Sequence, residues 1–319
     1  MRIKTYLPAL LILATAFSSF AQLQPGQGIN EFSHKAPEIH NLALLPNRAV
    51  PSLMFMAGSR MDGFGNHPFD ASLLASGYLI DRLGGGLKVN YDQAGLSSKL
   101  DIQLGLSYYV FLSKDKAGEE GEKQRGDKFS FFLAGHFTQD RIRQEDIVVI
   151  QTDDPNLLNV GEVAPGGNAS AGIAFLREDR YYAGISVSNL FEHKTAFMNP
   201  LWENRQKRQY FVSGAYTFSL SKKTPLDLQL YASGTMLTAD AYQWLAGAEL
   251  TVLKAFGAGV AWRSNGSLRF DLSVKAQSWD FGYACSYGAW VDATAYTYKG
   301  FSNSIFVRKL FNEGRRSGK

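Results

Sequence analysis

Gln209-Tyr210-Phe211-Val212-Ser213-Gly214-Ala215-Tyr216-Thr217-Phe218-Ser219-Leu220 alternates in character residue by residue. Tyr210, Val212, Gly214, Tyr216, Phe218 and Leu220 take one face. Gln209, Phe211, Ser213, Ala215, Thr217 and Ser219 take the other, which is mostly small or polar. Successive side chains of a strand point to opposite sides, so this pattern predicts a strand with one apolar and one polar face. Strands of soluble sandwiches usually run about 5–6 residues, whereas a tilted strand crossing a bilayer needs about 9–11. The stretch has the second length.

The pattern recurs on both sides of it. Leu226, Leu228, Leu230 and Ala232 alternate with Asp227, Gln229, Tyr231 and Ser233, and Leu268, Phe270, Leu272 and Val274 with Arg269, Asp271, Ser273 and Lys275. Trp279, Phe281, Tyr283, Cys285 and Tyr287 alternate with Asp280, Gly282, Ala284, Ser286 and Gly288, and Leu100 to Tyr108 behaves likewise. Candidate strands fall at 52–59, 70–80, 87–92, 98–112, 127–139, 168–177, 180–189, 208–220, 226–235, 241–253, 255–263, 267–276, 278–290 and 301–312. That makes fourteen, an even number, as bacterial outer-membrane barrels require, with twelve and sixteen still open. Short periplasmic turns should alternate with longer external loops. The long connections 140–167 and 190–207 do fall on one side, and the charged stretch 113–126 is the exception, an enlarged turn or a missed strand pair. Gly84-Gly85-Gly86 reads as a turn.

Lipid offers the backbone no hydrogen-bond partners, so a sheet can span it only as a closed barrel. Tyr108, Tyr210, Phe218, Trp244, Trp262 and Trp279 on the apolar faces suit interfacial girdles. Lys99, Asp101, Asp227, Gln229, Glu249, Arg269, Asp271 and Lys275 fall on the opposite faces, where a soluble sandwich would put them in water. The expected fold is an all-β, transmembrane, antiparallel up-and-down β-barrel occupying 52–312.

Composition is consistent with this. Of 319 residues 45% are apolar and 19% charged, there are 31 glycines, and the net charge is +4, which gives no reason to expect nucleic acid. A mean hydropathy of −0.16 excludes a polytopic helical membrane protein. One cysteine, Cys285, excludes disulfide frameworks and Cys-based metal centres; it sits on an apolar stripe as a packing residue. Arg2 and Lys4, the apolar run Tyr6 to Phe17 and Ser19-Phe20-Ala21 read as a signal peptide over 1–21, taking the chain out of the cytoplasm. Residues 22–51, with six Pro or Gly among them and apolar Leu42, Leu44 and Leu45, read as an irregular segment that plugs the lumen, meets a periplasmic partner or stays an unstructured leader. A basic tail, 313–319, closes the chain.

Motifs that carry chemistry are few. His34, His40, His67, His136 and His193 show no metal-ligand spacing, and His136 shares a strand face with Ser130 and Ala134 without a serine–histidine pairing legible from spacing. No nucleotide or hydrolase fingerprint appears. No cofactor, metal or catalytic residue is therefore expected. Asp153-Asp154-Pro155-Asn156 with Glu162 lacks EF-hand spacing and reads as a solvated turn rather than a calcium loop. In the external loops Asp154, Trp202 and Arg205 are the candidate partner-binding residues; an exposed Trp among basic neighbours suits a contact patch and equally an interfacial anchor in the bilayer.

Several segments in order carry a family resemblance. Tyr181-Tyr182-Ala183-Gly184-Ile185-Ser186-Val187-Ser188-Asn189-Leu190-Phe191, preceded by Asn168 to Phe175, resembles a strand pair of the PorP/SprF family. Arg208 to Tyr216, Ala261-Trp262-Arg263-Ser264, Phe281-Gly282-Tyr283-Ala284, Asn90 to Gly95 and Asp154-Pro155 resemble further elements, over roughly 87–312. The chain departs from the family at His40 to Val50, which lacks the usual opening motif, and at Cys285-Ser286, where an aspartate is usual. It is similar to a divergent member. The resemblance implies a non-enzymatic outer-membrane component of the Bacteroidota type IX secretion system, associated with gliding. Such a component supports export or surface attachment of proteins bearing C-terminal sorting domains. The implied partners are outer-membrane lipid, periplasmic lipoproteins of the machinery, and secreted or surface adhesin-like substrates. The alternative left open by the residues is a passive or gated transporter for small or hydrophobic substrates.

Overall fold

The computed structural model describes residues 31–47, 50–62, 68–80, 82–95, 97–112, 126–142, 165–177, 180–192, 194–195, 204–205, 207–221, 224–238, 241–291 and 297–311. The strands are β1 (Ser52–Asp62), β2 (Phe69–Ile80), β3 (Leu83–Ala94), β4 (Ser97–Phe111), β5 (Lys128–Ile142), β6 (Gly166–Arg177) and β7 (Tyr181–Ser188). They continue as β8 (Lys194–Thr195), β9 (Asn204–Arg205), β10 (Gln209–Ser221), β11 (Leu226–Thr238), β12 (Ala241–Val252), β13 (Phe256–Arg263), β14 (Leu268–Ala276), β15 (Trp279–Val291) and β16 (Thr297–Leu310). Fourteen of them form one closed barrel in which each strand pairs antiparallel with its neighbours and β16 returns to β1. The seam runs in continuous register from Ser52 opposite Leu310 to Ser59 opposite Asn303.

The two-residue strands β8 and β9 pair only with each other, as a ribbon in the connection between β7 and β10. Strand β4 pairs directly with β5 along its whole length as its neighbour in the barrel. Residues 113–125 of the charged connection between them lie outside the described residues. On the side of the short turns, Leu253 and Lys254 both take positive φ, 55° each, the backbone of a tight hairpin.

Period two decides which side chains meet lipid. Leu104, Leu133 and Leu272 are 67%, 64% and 63% exposed, while Gln103, Phe132, Ala134, Ser273's neighbour Asp271 and Ser107 are buried on the inner side. Trp262 and Trp279 face outward near strand ends, as does Tyr210. Among the described residues no helix is long and apolar enough to cross a membrane; the crossing belongs to the strands.

One expectation is corrected. Gly84, Gly85 and Gly86 are not a turn but the first rungs of β3, paired with Gly77 and its neighbours on β2 and with Gly105 and its neighbours on β4. The chain reverses at Arg82, whose φ is +66°. The physical reason lies inside the barrel. A Cβ on Gly86 would sit 3.1 Å from Leu42 Cδ2, and one on Gly105 would sit 2.5 Å from Leu42 Cδ1. These glycines leave room for an inserted side chain.

Candidate functional site

The interior of this barrel is occupied by the chain's own residues 31–47. Two short 3-10 turns, Pro37–Ile39 and Leu42–Asn47, are joined by irregular backbone. Phe32, Ala36, Leu42, Ala43 and Leu44 are almost wholly buried and pack with Met54, Met56 and Leu74 of the wall. An irregular backbone buried away from water must find partners for its polar groups. Here the wall supplies them. Carbonyl oxygens of the segment accept hydrogen bonds from Tyr182 (to His34, 3.4 Å), Arg308 (to Lys35, 3.2 Å), Lys88 (to Ile39, 3.0 Å) and Ser186 (to His40, 2.8 Å). Arg269 donates to the carbonyl of Glu31.

The first half of the segment is held by charge. Glu31 meets Arg263 at 2.7 Å, Lys35 meets Glu249 at 2.5 Å and Ser273 at 2.9 Å, and Glu38 meets Arg308 at 3.4 Å. Arg308 also pairs with Asp280 at 2.8 Å, and Arg269 with Asp271 at 2.8 Å. His34 stacks on Tyr231, ring centroids 4.2 Å apart, and lies 2.8 Å from Glu249 through Nε2. Its Nδ1 faces Arg269 at 3.5 Å. A neutral ring with its proton on Nε2 donates to Glu249 and accepts from Arg269. Burial, helped by Arg269, holds the imidazole below its ordinary value in spite of Glu249.

Ligand atoms of His34, Glu249 and Asp271 all lie within 4.8 Å of one another, a set able to hold a metal ion. The surroundings argue for a lock instead. Three carboxylates, Glu31, Glu249 and Asp271, are faced by three cations, Lys35, Arg263 and Arg269. A divalent ion would add charge to a cluster that is already neutral. Buried charges need such pairing, because an unpaired one is expensive to desolvate.

The second half is held by shape. Leu42 fills the space left by Gly86 and Gly105, and Leu45 lies 3.8 Å from where a Cβ of Gly84 would be. Asn41 passes over Gly184, where a Cβ would come within 2.7 Å of its Nδ2, and donates to the Ile173 carbonyl at 3.1 Å. His40 stacks on Phe211 at 4.3 Å between centroids. Burial, and then Lys88, hold the His40 imidazole down to about 3.

His136, paired by sequence with no serine, is hydrogen-bonded through Nε2 to Ser170, while its Nδ1 lies 3.3 Å from Asp101. The order matches a nucleophile relay, yet Ser170 is 1% exposed and does not line the neighbouring cavity. The trio spans three adjacent strands and ties β4, β5 and β6 together. Cys285 is partly buried on the outward face of β15.

Of the candidate partner-binding residues, Asp154 and Trp202 lie outside the described residues. Arg205 is the last residue of β9, opposite Lys194. His67, His193 and the segment Asp153 to Glu162 also lie outside the described residues. The charges that hold the inserted segment were visible one by one in the sequence, but not as partners, since Lys35 and Glu249 are 214 positions apart.

A closed antiparallel barrel with an apolar outer band and a polar interior defines a membrane protein of the bacterial outer membrane. The profile of type IX secretion system membrane proteins PorP/SprF matches residues 32–307, and the chain belongs to that family. No curated protein matches it. Among solved structures, the toluene transporter TbuX of Ralstonia pickettii aligns over 90% of this chain and 99% of its own at 11% identity, with a TM-score of 0.51. The CymD monoaromatic hydrocarbon channel aligns over 91% and 95% at 11% identity, with a TM-score of 0.50. At such identity the likeness concerns the fold alone.

Proposed function

We propose that this barrel is a non-enzymatic component of the type IX secretion system, supporting export or surface attachment of proteins with C-terminal sorting domains. The observation that carries the reading is the filled interior. A segment fixed by three ion pairs and by glycine sockets suits a barrel that works through its surfaces rather than through a standing pore. Membership of a secretion-system family supports the same direction. On this reading 1–21 is a cleaved leader, 22–51 is the interior and periplasmic segment, 52–312 is the barrel and 313–319 is a basic tail. Its partners are periplasmic lipoproteins of the machinery on one side and secreted or adhesin-like substrates on the other, with Asp154, Trp202 and Arg205 at the external contact.

The test is affinity capture of tagged barrel from native outer membranes. Secretion components should co-purify, and the barrel alone should conduct little in planar bilayers. Recovery of a solitary barrel with steady pore activity or substrate uptake would replace this reading with the transporter one.

A further inference from the structure

Between the inserted segment and the ends of β1–β4 next to the connections 63–68 and 95–96 lies a cavity of about 130 Å³. By the alternation of long and short connections this is its external side. Ile39 and His40 of the inserted segment form its floor, and β1–β5 form a charged wall. Ser188, Asn189, Gln209 and Phe211 face that wall from the other side.

The wall carries three cations, Arg60, Lys88 and Lys99, and three carboxylates, Asp70, Asp92 and Asp101. Arg60 binds Asp70 at 3.1 Å, and Asp92 stands directly opposite Lys99 across β3 and β4. Asp101 accepts from Asn90 at 3.3 Å and lies 3.3 Å from His136. Lys88 is anchored on the Ile39 carbonyl. An ion of either sign would upset the balance of three cations and three carboxylates in a poorly solvated space. A neutral molecule rich in hydroxyls meets no such penalty, because carboxylates and guanidinium groups retain further acceptor and donor capacity after pairing. His40 and Phe211, stacked on each other, also line the cavity and give it an aromatic edge against which C–H groups can pack. The volume is small beside the roughly 300–1,000 Å³ of pockets for drug-sized ligands, which limits the occupant to about one ring.

We propose that this cavity binds a single neutral polyhydroxylated unit, a hexose-sized sugar ring, arriving from the external side. Since its floor belongs to the inserted segment, the bound unit also holds that segment in place. The inference is independent of the secretion reading.

The experiment uses the full-length barrel in a detergent without sugar headgroups, titrated by calorimetry and saturation-transfer NMR. The probes are D-glucose, D-galactose and D-mannose, a matching trisaccharide, and acetate, methylammonium and glycine as charged controls. Saturable binding of a hexose is expected in the millimolar range, with a raised thermal midpoint. Binding should weaken at least about tenfold in Asn90→Leu and in Phe211→Ala. If Phe211→Ala does not fold, Asn90→Leu decides alone, its folding checked by heat-modifiable migration. Binding of the trisaccharide as well as the hexose points to the end of a surface glycan, and of the hexose alone to a free sugar. No saturable hexose binding, an unchanged affinity in folded Asn90→Leu, or tighter binding of a charged control overturns the proposal.

Discussion

Strands β12–β16 and strands β2–β7 grip the same inserted segment with opposite chemistry. On the first side, Arg263, Arg269, Arg308 and Glu249 face Glu31, Lys35 and Glu38 in ion pairs and charged hydrogen bonds, with Phe32 packed on Phe306 beside them. On the second, Leu42, Leu44 and Leu45 pack against Leu74, Phe132 and the space over Gly86 and Gly105. Burying an ion pair gains little over an apolar pair of the same shape, but removing one member is costly. Apolar packing degrades more gradually, in proportion to the area and cavity involved. The charged side therefore fixes where the segment sits, and the apolar side supplies most of its favourable burial.

The largest effect should follow from breaking the charged side. Arg269→Met removes the partner of Asp271 and the donor to Glu31 and Tyr231. A loss of about 3–5 kcal/mol is expected in unfolding from detergent or bilayers, together with protease access to residues 31–38. Adding Asp271→Leu should recover much of it, and no recovery would mean that Arg269 acts through packing alone.

On the apolar side, Leu42→Ala should destabilise by about 2–5 kcal/mol, at the lower end if the wall closes over the gap. Unlike Arg269→Met, which leaves Asp271 unpaired, it strands no charge, so Asp271→Leu should not relieve it. Relief of equal size in both variants would erase the distinction between the two halves.

A finer test is Gly105→Ala, whose Cβ would lie 2.5 Å from Leu42 Cδ1 and 2.8 Å from Ala134 Cβ. Overpacking of this kind costs about 1–3 kcal/mol, and Leu42→Ala in the same chain should offset part of it, a coupling that a thermal double-mutant cycle can read. Gly135, on the neighbouring strand, has nothing within 4 Å of its would-be Cβ. Gly135→Ala should stay within about 0.5 kcal/mol of wild type.

The same contrast explains what the sequence made legible. Fourteen strands and their faces follow from period two, because alternation is a local property written every other residue in stretches such as Tyr210 to Leu220. The run Gly84 to Gly86 defeated the local rule. Gly86 there answers to Leu42, far earlier in the chain, so a feature that looks like a turn holds a socket. Irregularity in 22–51 was visible from its prolines and glycines, and the three leucines were visible as apolar. Their placement against β3 and β4, and the pairing of Lys35 with Glu249, depend on barrel closure, which no window of sequence contains.

The mildest perturbation is pH, and it addresses both halves at once. His34 sits on the charged side and His40 on the apolar side, and both are held below the ordinary histidine value, His40 to about 3. In the unfolded chain each takes up a proton near pH 6.5, whereas in the folded chain His40 does so only near 3 and His34 below its ordinary value. Between those limits the unfolded state binds more protons, so stability falls as pH drops from about 6.5 towards 3 and is unaffected by these groups above 7. The unfolding midpoint should therefore decline from pH 7 to pH 4. His40→Phe, which keeps an aromatic ring for Phe211 to stack on, should flatten that decline without lowering the midpoint at pH 7. A variant as acid-sensitive as wild type would assign the dependence to His34 and the charged side.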